Sequence, residues 1–303
     1  MNTLFNQLDE GEAVVERPRI APGWYRDISN HDYHKSEGVS STYLKKLLEK
    51  TPAHLLHAPP FEPSDAMHVG TAVHTLVLEP DTAEKSIAIV PNLNLRTKSG
   101  REEMAAFEAA SAGKTVLTPE QHDKAVAMAR SVSEHPTASL LLEDVIAESS
   151  IYWWYRSRDE FDDAEYKVMC KVRPDAIGRG HNIVIDLKSC IDASYSGFIR
   201  AVQKFYYHVS AAMYLEGVNQ CKPLLGEVGH LAYTKFVFIC VENTPPYLVA
   251  VYELSPAYLD LGKHLFRRCL RKHHDAKAEN YPGFPEDVRV LEPPAWAQRA
   301  HIV

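Results

Sequence analysis

The feature that most constrains the fold is the segment YKVMCKVRPDAIGRGHNIVIDLKS, in which two apolar stretches predict neighbouring β-strands. Residues 167–173 alternate between apolar and polar side chains, as in a strand with one buried face. Residues 182–188 are rich in β-branched side chains, and GRGHN between the stretches predicts a turn. Asp175 follows the first stretch, and the second contains both Asp186 and Lys188. Charges in so apolar a strand are costly unless a functional site requires them.

The spacing of these charges predicts a metal site. Side chains two residues apart on a strand share a face, so Asp186 and Lys188 project together. A meander of the two strands can place Asp175 beside Asp186. Converging carboxylates suit Mg²⁺ or Mn²⁺ rather than zinc, and such an ion holds a phosphate and activates a water molecule, while a nearby lysine stabilises the developing charge. The alternative is a turn followed by a partly exposed strand with a surface ion pair.

The composition is that of an ordinary globular protein, with 303 residues, 45% of them hydrophobic and 24% charged. The chain has no run of roughly 18 apolar residues, so we expect no membrane span. Its acidic N-terminus has no basic region leading into an apolar stretch, which argues against a secretory signal and for a cytoplasmic protein. The formal charge of −7 argues against a general polyanion binder but leaves room for a local basic groove.

The cysteines exclude several kinds of metal centre. No two of them form a CxxC pair, so a zinc ribbon or a four-cysteine iron–sulfur cluster has no local support. An odd, scattered set without an export signal is typical of reduced thiols in a cytoplasm. The cysteines are Cys170, Cys190, Cys221, Cys240 and Cys269.

The predicted strands are confined to residues 147–254 and have helical patterns on both sides, which indicates one α/β core inside a helical shell. We expect a flexible arm over residues 1–22 and a single domain over 23–303. The domain would comprise a helical N-terminal part over 23–145, a sheet core over 146–255, and a C-terminal helix and tail over 256–303. The predicted helices are 43–49 after Ser40 or Ser41, one opened by Ser64 or Asp65 and ended by Pro80, 101–113, 119–143, 195–217 closed by Gly217, and 256–279.

The segment RPDAIGRGHNIVIDLKS resembles the core of the PD-(D/E)xK nucleases, in which Pro-Asp is followed by Asp-x-Lys. Three other segments are similar, in the same order, to the exonuclease VIII (RecE-type) branch found in phages and prophages. These are GTAVHTLVLEP, AESSIYW and YHVSAAMY, and a late PAWAQ extends the similarity over residues 24–297. The resemblance implies a restriction-endonuclease-like α/β fold, with a central mixed sheet flanked by helices and a helical region before it.

The resemblance also implies a set of site residues. His74, Asp175 and Asp186 would be metal ligands, together with the backbone carbonyl of Leu187. Lys188 would be the catalytic lysine. Two further residues would belong to the catalytic set: Glu148, beside the metal or on a second ion, and Tyr214, which ends the YHVSAAMY helix. From the residues alone, His74 could instead be a core histidine, and Glu148 a solvated carboxylate at a strand edge.

The DNA contacts follow less directly from the resemblance. Related exonucleases carry a glutamine four residues before the last tyrosine, where this chain has Ser210; Gln203 repeats that spacing ahead of Tyr207. The basic loop 91–101 would grip phosphates, with a solvated loop as the alternative. The predicted DNA-binding residues are Arg96, Lys98, Arg101, Arg173, Gln203 and Ser210.

The implied function is a Mg²⁺-dependent exodeoxyribonuclease, with Mn²⁺ as a substitute and one or two ions per site. It would degrade linear double-stranded DNA from its ends, 5′ to 3′, and leave 3′ single strands for homologous recombination. Partners implied by the resemblance are further copies of the chain in a ring and a single-strand annealing protein, in a bacterial or phage-infected cell. The alternatives are a structure-specific or single-strand endonuclease on the same core, an inactive DNA-binding scaffold, and an α/β protein whose DLK segment is structural.

Overall fold

The structure, a computed structural model, describes residues 18–59, 62–157, 165–179, 182–221 and 232–294. Its helices are α1 (Asn30–Lys35), α2 (Ser41–Glu49), α3 (Pro52–Leu56), α4 (Asp65–Leu78), α5 (Ala83–Ser86), α6 (Lys98–Ala110), α7 (Pro119–Glu134), α8 (Pro136–Leu142), α9 (Tyr195–Lys204), α10 (Tyr207–Cys221) and α11 (Pro256–Ala278), with a 3₁₀ turn at Pro80–Thr82. Its strands are β1 (Gly23–Tyr25), β2 (Ile87–Ile89), β3 (Thr115–Leu117), β4 (Val145–Ala147), β5 (Ser150–Arg156), β6 (Lys167–Val172), β7 (Ala176–Gly178), β8 (Ile183–Cys190), β9 (Lys235–Glu242) and β10 (Val249–Glu253).

The centre of the fold is a five-stranded sheet in the order β10-β9-β8-β7-β4. The β8–β9 pair is parallel and the other pairs are antiparallel, so the sheet is mixed. One face packs through Leu187 against Val73 of α4 and Met128 of α7. The other face packs through Phe238 against Val209 and neighbouring residues of α10. The predicted fold class, a central mixed sheet flanked by helices, is confirmed.

The predicted meander is wrong in its pairing. β5 pairs with β6 on one side and with β1 on the other in a separate three-stranded sheet, whereas β7 lies between β8 and β4 in the central sheet. Two residues that interrupt the strands explain the division into two sheets. Glu148 adopts a left-handed backbone conformation with φ 47° between β4 and β5. Pro174 lies between β6 and β7 and has no N–H with which to continue a ladder. Residues 180–181 of the predicted GRGHN turn lie outside the described residues.

The predicted helix over 195–217 is two helices. The chain bends after α9 at Phe205 and Tyr206, and Tyr206 has a φ of 52°. Gly217 does not end the second helix, since α10 continues to Cys221. A Cβ atom on Gly217 would lie 2.7 Å from the Trp153 ring and 2.8 Å from the Val172 side chain. The glycine is therefore needed for the close packing of α10 on β5 and β6.

The helical pattern between residues 97 and 143 also divides differently from the prediction. Thr97 caps α6 by accepting a hydrogen bond of 3.0 Å from the Gly100 amide, so that Lys98 and Arg101 are helical and not in a loop. The pattern over 119–143 is interrupted at Pro136, which separates α7 from α8. The short parallel pair β2–β3 gives no alternating pattern, because each strand has three residues.

Both chain ends fall largely outside the described residues. The predicted arm is described only from residue 18, where Arg19 forms an ion pair of 3.3 Å with Glu37 before β1 begins. The PAWAQ motif has only its first proline in the described part, and the rest of the motif lies outside it. None of the helices in the described ranges combines the length and the apolar character that a membrane crossing requires.

Candidate metal and active site

Three carboxylates form one row across neighbouring strands of the central sheet. Ala147 pairs with Ala176, which in turn pairs with Ile185, so the next row consists of Glu148, Asp175 and Asp186. The Glu148 amide extends this row by donating to the Asp175 carbonyl at 3.0 Å. β7 does not reach this row, whereas β8 runs on to Cys190 against β9 alone. The sheet therefore has a notch where the carboxylates meet.

Asp175 is fixed to β8 at this notch. Its Oδ2 accepts a hydrogen bond of 2.7 Å from the Leu187 amide. Because the amide and carbonyl of one strand residue point to the same edge, the Leu187 carbonyl also points toward the notch. The edge that Leu187 presents is the one β7 has left unpaired. This orientation is the one that a backbone ligand at Leu187 requires.

His74 reaches the notch from α4, which packs on the face of the sheet opposite to α10. Its Nδ1 lies 3.6 Å from Oδ2 of Asp175 and 3.8 Å from Oε1 of Glu148. One ligand atom from each of the three side chains lies within 4.8 Å of the other two. The described residues thus provide a three-ligand group of one imidazole and two carboxylates.

The electrostatics of this group favour a cation. Burial raises the pKa of Asp175 to about 7; His74 and Lys188 oppose this rise, and Asp186 and Glu148 add to it. Burial by itself would lower the pKa of His74, but the carboxylates of Asp175 and Glu148 outweigh it and raise that pKa to about 9. Without a cation, a proton on His74 therefore partly neutralises the two acids.

Arg173 supports Glu148 from behind. Its Nε donates to Oε2 of Glu148 at 2.8 Å, while its Nη1 donates to the Ile28 carbonyl at 2.9 Å and to the Ser150 hydroxyl at 2.7 Å. Burial opposes ionisation of Glu148, but His74 and Arg173 together lower its pKa. The side chain of Arg173 is 12% exposed. The structure thus places this predicted DNA contact behind the site, in an internal network.

Asp186 and Lys188 form an ion pair beside the metal-binding group. Asp186 is 3% exposed, and its Oδ2 contacts the Lys188 ammonium. Burial opposes the charge on Lys188, yet Asp186 and Asp175 raise its pKa above the ordinary value. Lys188 therefore stays an ammonium group at neutral pH, a form that can supply a proton or a positive charge but cannot accept a proton. Asp186 lies in the carboxylate row but is bound to Lys188, not to the His74 group.

The faces of α10 and α2 close the site over Asp186. Tyr214 has a hydroxyl whose pKa is raised by burial and by Asp186 and Asp175, while a hydrogen bond with Ser41 opposes the rise. Tyr207, two turns earlier, has its ring centre 5.6 Å from the Lys188 Nζ. Lys45, one turn after Ser41 on α2, is equally 5.6 Å from that ring. Burial and Lys188 lower the pKa of Lys45 to about 8, and Asp186 opposes the change.

Sequence reasoning missed Ser41 and Lys45. The available signal was the position of Lys45 on α2, since it shares a face with the buried residues Ser41 and Leu44. A lysine on the apolar side of a short amphipathic helix is unusual unless its ammonium group has a use.

Within the described ranges, none of the other predicted DNA contacts forms a hydrogen bond or an ion pair with these site residues. Gln203 is exposed and donates to the Tyr258 hydroxyl at 3.0 Å, which ties α9 to α11. Ser210 is buried on α10, between Tyr207 and Tyr214. The basic residues Arg96, Lys98 and Arg101 are exposed around the start of α6, where Lys98 forms an ion pair of 3.7 Å with Glu102.

The comparisons with known proteins agree with this architecture. Residues 40–287 match the family model described as "PDDEXK-like domain of unknown function (DUF3799)". A crystal structure of a "putative exonuclease" from Eubacterium rectale aligns with 91% of this chain and 98% of its own, with a TM-score of 0.55 at 13% identity.

A second structure, of SSO0001, aligns with 75% of this chain and 83% of its own at 18% identity, but its TM-score of 0.28 supports no inference. None of the curated proteins compared with the chain matches it significantly. The likeness to the Eubacterium rectale protein concerns the fold, because the identity is low. The family match spans most of the chain and includes His74, Glu148, Asp175, Asp186 and Lys188. The chain belongs to the PDDEXK-like domain family DUF3799.

Proposed function

We propose that the protein is a metal-dependent nuclease that degrades linear double-stranded DNA from its ends. The observation that carries the proposal is the His74–Glu148–Asp175 group, with ligand atoms within 4.8 Å, beside the Asp186–Lys188 ion pair. The family match and the fold of the Eubacterium rectale protein support a nuclease. The finer assignment, 5′ to 3′ digestion as in the exonuclease VIII branch, rests on the sequence motifs.

The donor set fits a hard divalent cation. Carboxylate oxygens suit Mg²⁺ or Mn²⁺, and the group has no thiolate that would favour a softer metal. His74, Glu148 and Asp175 would hold the ion, with the Leu187 carbonyl as a further ligand. Asp186 would join as a ligand or stay bound to Lys188. A bound ion would supply Lewis acidity toward the phosphate and make a water molecule more acidic.

Lys188 would supply positive charge where the cleaved phosphate becomes more negative. The Lys188 side chain is 26% exposed and its ammonium group is held by Asp186, so a phosphate at the notch would be able to reach it. The neutral Tyr214 hydroxyl would donate a hydrogen bond within the site, with Ser41 as its neighbour on α2. Arg173 would act as a positioning residue by orienting Glu148.

Several parts of the proposal concern partner molecules and DNA contacts away from the metal site. A ring of several copies, a single-strand annealing partner, and cytoplasmic action in recombination are proposed from the resemblance to the exonuclease VIII branch. Arg96, Lys98 and Arg101 are proposed to contact the DNA backbone, and their exposure around the start of α6 supports this. Gln203 and Ser210 are proposed as DNA-positioning residues, because each lies four residues before a tyrosine, as the glutamine of related exonucleases does.

The test is digestion of 5′-phosphorylated linear duplex DNA with Mg²⁺ or Mn²⁺, beside the same DNA as a closed circle. The controls are EDTA, Lys188→Ala, and Lys235→Ala, which removes an exposed lysine at the opposite end of the parallel strand pair. We expect progressive loss of the linear duplex alone, abolished by EDTA and by Lys188→Ala and unaffected by Lys235→Ala. Labels at the two ends of one strand report the direction of digestion.

Other outcomes would contradict specific parts of the proposal. Cleavage of the closed circle would indicate an endonuclease on the same core. Equal cleavage by wild type and Lys188→Ala would show that Lys188 takes no part in the reaction. No cleavage with either metal, together with tight binding of duplex DNA, would favour the inactive scaffold.

A further inference from the structure

Two ammonium groups lie against one aromatic ring at the edge of the site. The Nζ atoms of Lys45 and Lys188 are each 5.6 Å from the centre of the Tyr207 ring. The residues come from different elements, α2 and β8, which the fold brings together over α10. Such cation–ring contacts are favourable but weak, and they do not replace an anionic partner for a partly buried charge.

The two lysines differ in what neutralises them. Lys188 is bound to Asp186. Among the residues that the structure describes, Lys45 has no hydrogen-bond acceptor and no carboxylate within ion-pair distance, and Asp186 acts on it only from farther away. Lys45 is half-buried and next to a like charge, so its position favours an anion that the chain itself does not provide.

The position of Lys45 is set by packed elements and not by a loop. The Tyr207 ring lies against three phenylalanine rings, with centres 6.1 Å from Phe198, 5.6 Å from Phe205 and 5.8 Å from Phe238. On α2, the buried Ser41 side chain lies one turn before Lys45 and meets α10 at Tyr214. A charge held this way is suited to positioning a ligand, since little side-chain freedom is lost on binding.

We infer that Lys45 binds a phosphate of the DNA backbone, either at the cleaved bond or next to it. The inference rests on the proposed function and adds to it a substrate contact from α2. The charges in the site are arranged for this role. Glu148 and Asp175 lie on the metal side of the notch, and the cations Lys188 and Lys45 lie on the side of Tyr207. A backbone of regularly spaced phosphates can contact both sides at once.

The variants for the test separate charge from packing. Lys45→Met keeps the aliphatic contact with Tyr207 but removes the charge, Lys45→Gln keeps a polar end, and Lys45→Arg keeps the charge. Lys46→Gln is the matched control, because Lys46 is the exposed neighbour on the same helix. Each variant is assayed for affinity to a short duplex in EDTA at several salt concentrations, for Mn²⁺ affinity without DNA, and for the KM of cleavage.

We expect Lys45→Met and Lys45→Gln to weaken duplex binding about 10-fold and to reduce the slope of log affinity against log salt by about 1, the loss of one phosphate contact. The KM of cleavage should rise in Lys45→Met and Lys45→Gln, while Lys45→Arg and Lys46→Gln should behave as wild type. Mn²⁺ affinity is unchanged in all variants. A duplex affinity and salt slope equal to wild type in Lys45→Met would overturn the inference. Loss of Mn²⁺ binding or of folded structure in that variant would also overturn it, by giving Lys45 a structural role.

The two proposals fail separately. If wild type cleaves DNA and Lys45→Met binds it normally, the inference is wrong and the nuclease function stands. If wild type binds duplex without cleaving it, and Lys45→Met loses that binding with the expected salt slope, the nuclease function is wrong and the phosphate contact stands.

Discussion

The Asp175 carboxylate accepts a hydrogen bond of 2.7 Å from the Leu187 amide, across the gap that β7 leaves beside β8. This bond fixes the separation between the start of β7 and the Asp186–Lys188 stretch of β8. Asp175 therefore has a structural contact through Oδ2 in addition to its place in the His74–Glu148–Asp175 group. The two roles respond differently to substitution, because an amide oxygen can accept the same hydrogen bond but is a poorer metal ligand.

Asp175→Asn should strongly reduce cleavage while stabilising the metal-free protein at alkaline pH. The pKa of Asp175 is raised from 3.8 to about 7 by burial, so ionised Asp175 destabilises the folded state as the pH rises through that range. In EDTA at pH 8 we expect the variant to be more stable than wild type by about 1–2 kcal/mol, with the difference vanishing near pH 4. Cleavage and Mn²⁺ affinity should fall about 100-fold or more.

Asp175→Ala is the control for the structural bond. It removes the charge as the asparagine does, but it leaves the buried Leu187 amide without its acceptor. We expect it to be less stable than Asp175→Asn by about 1–3 kcal/mol in urea denaturation. Equal stability of the two variants would show that the 2.7 Å bond contributes nothing to the fold.

Metal affinity should rise with pH. The pKa values of about 9 for His74 and about 7 for Asp175 mean that protons occupy both ligands in mildly acidic solution. A cation must displace them, so the apparent Mn²⁺ affinity should increase from roughly pH 6 to pH 9, with release of about one to two protons per ion at pH 7. Calorimetry in buffers of different ionisation enthalpy measures the protons, and His74→Gln should release fewer. An affinity independent of pH would contradict this account.

The central part of the site could be predicted from sequence because it lies on adjacent strands. Asp175, Asp186 and Lys188 are set by local periodicity and a short connection, and the structure keeps them together at the notch. His74 was predicted through the motif resemblance, since apolar periodicity alone gives a core histidine. The structure brings it to 3.6 Å from Asp175, but no local pattern determines that α4 packs at this edge.

The features that sequence reasoning missed depend on long-range packing. Arg173 reads as an exposed strand residue, yet the separate sheet of β1, β5 and β6 turns it onto Glu148 and the Ile28 carbonyl. Gly217 resembles a helix end, but its lack of a side chain serves the contact with Trp153. Lys45 belongs to the site only because α2 packs across α10, and its place on the apolar side of α2 does not indicate which residues it contacts there.

Arg173→Gln should weaken metal binding without weakening DNA binding in EDTA. Arg173 holds Glu148 at 2.8 Å, and the two side chains are 12% and 18% exposed, so removing the cation leaves a partly buried carboxylate with His74 as its remaining partner. We expect a loss of about 2–4 kcal/mol of unfolding free energy and a fall in Mn²⁺ affinity of about 10-fold or more. The salt slope of duplex binding should not change, because the guanidinium faces inward.

The matched control for Arg173 is Arg130→Gln, which removes an exposed arginine whose partner is Glu134 on the same helix. Stability, Mn²⁺ affinity and cleavage should all stay at the wild-type level in this control. A reduced salt slope in Arg173→Gln would instead identify Arg173 as a phosphate contact, as the sequence suggested.

Gly262→Ala should separate the two long C-terminal helices and affect the α10 side of the site more than the metal side. A Cβ atom at Gly262 would lie 2.0 Å from the His208 carbonyl oxygen and 3.1 Å from Cβ of Ala212, so α11 must move away from α10. We expect a loss of about 1–3 kcal/mol in chemical denaturation. Because α10 carries Tyr207 and Tyr214, the rate of DNA cleavage should fall while Mn²⁺ affinity stays near wild type, since the metal-binding group lies at the ends of β4 and β7 and on α4. Leu261→Ala, at the exposed neighbouring position, should cost less than about 1 kcal/mol, and an equal loss in both variants would contradict the close contact as the cause.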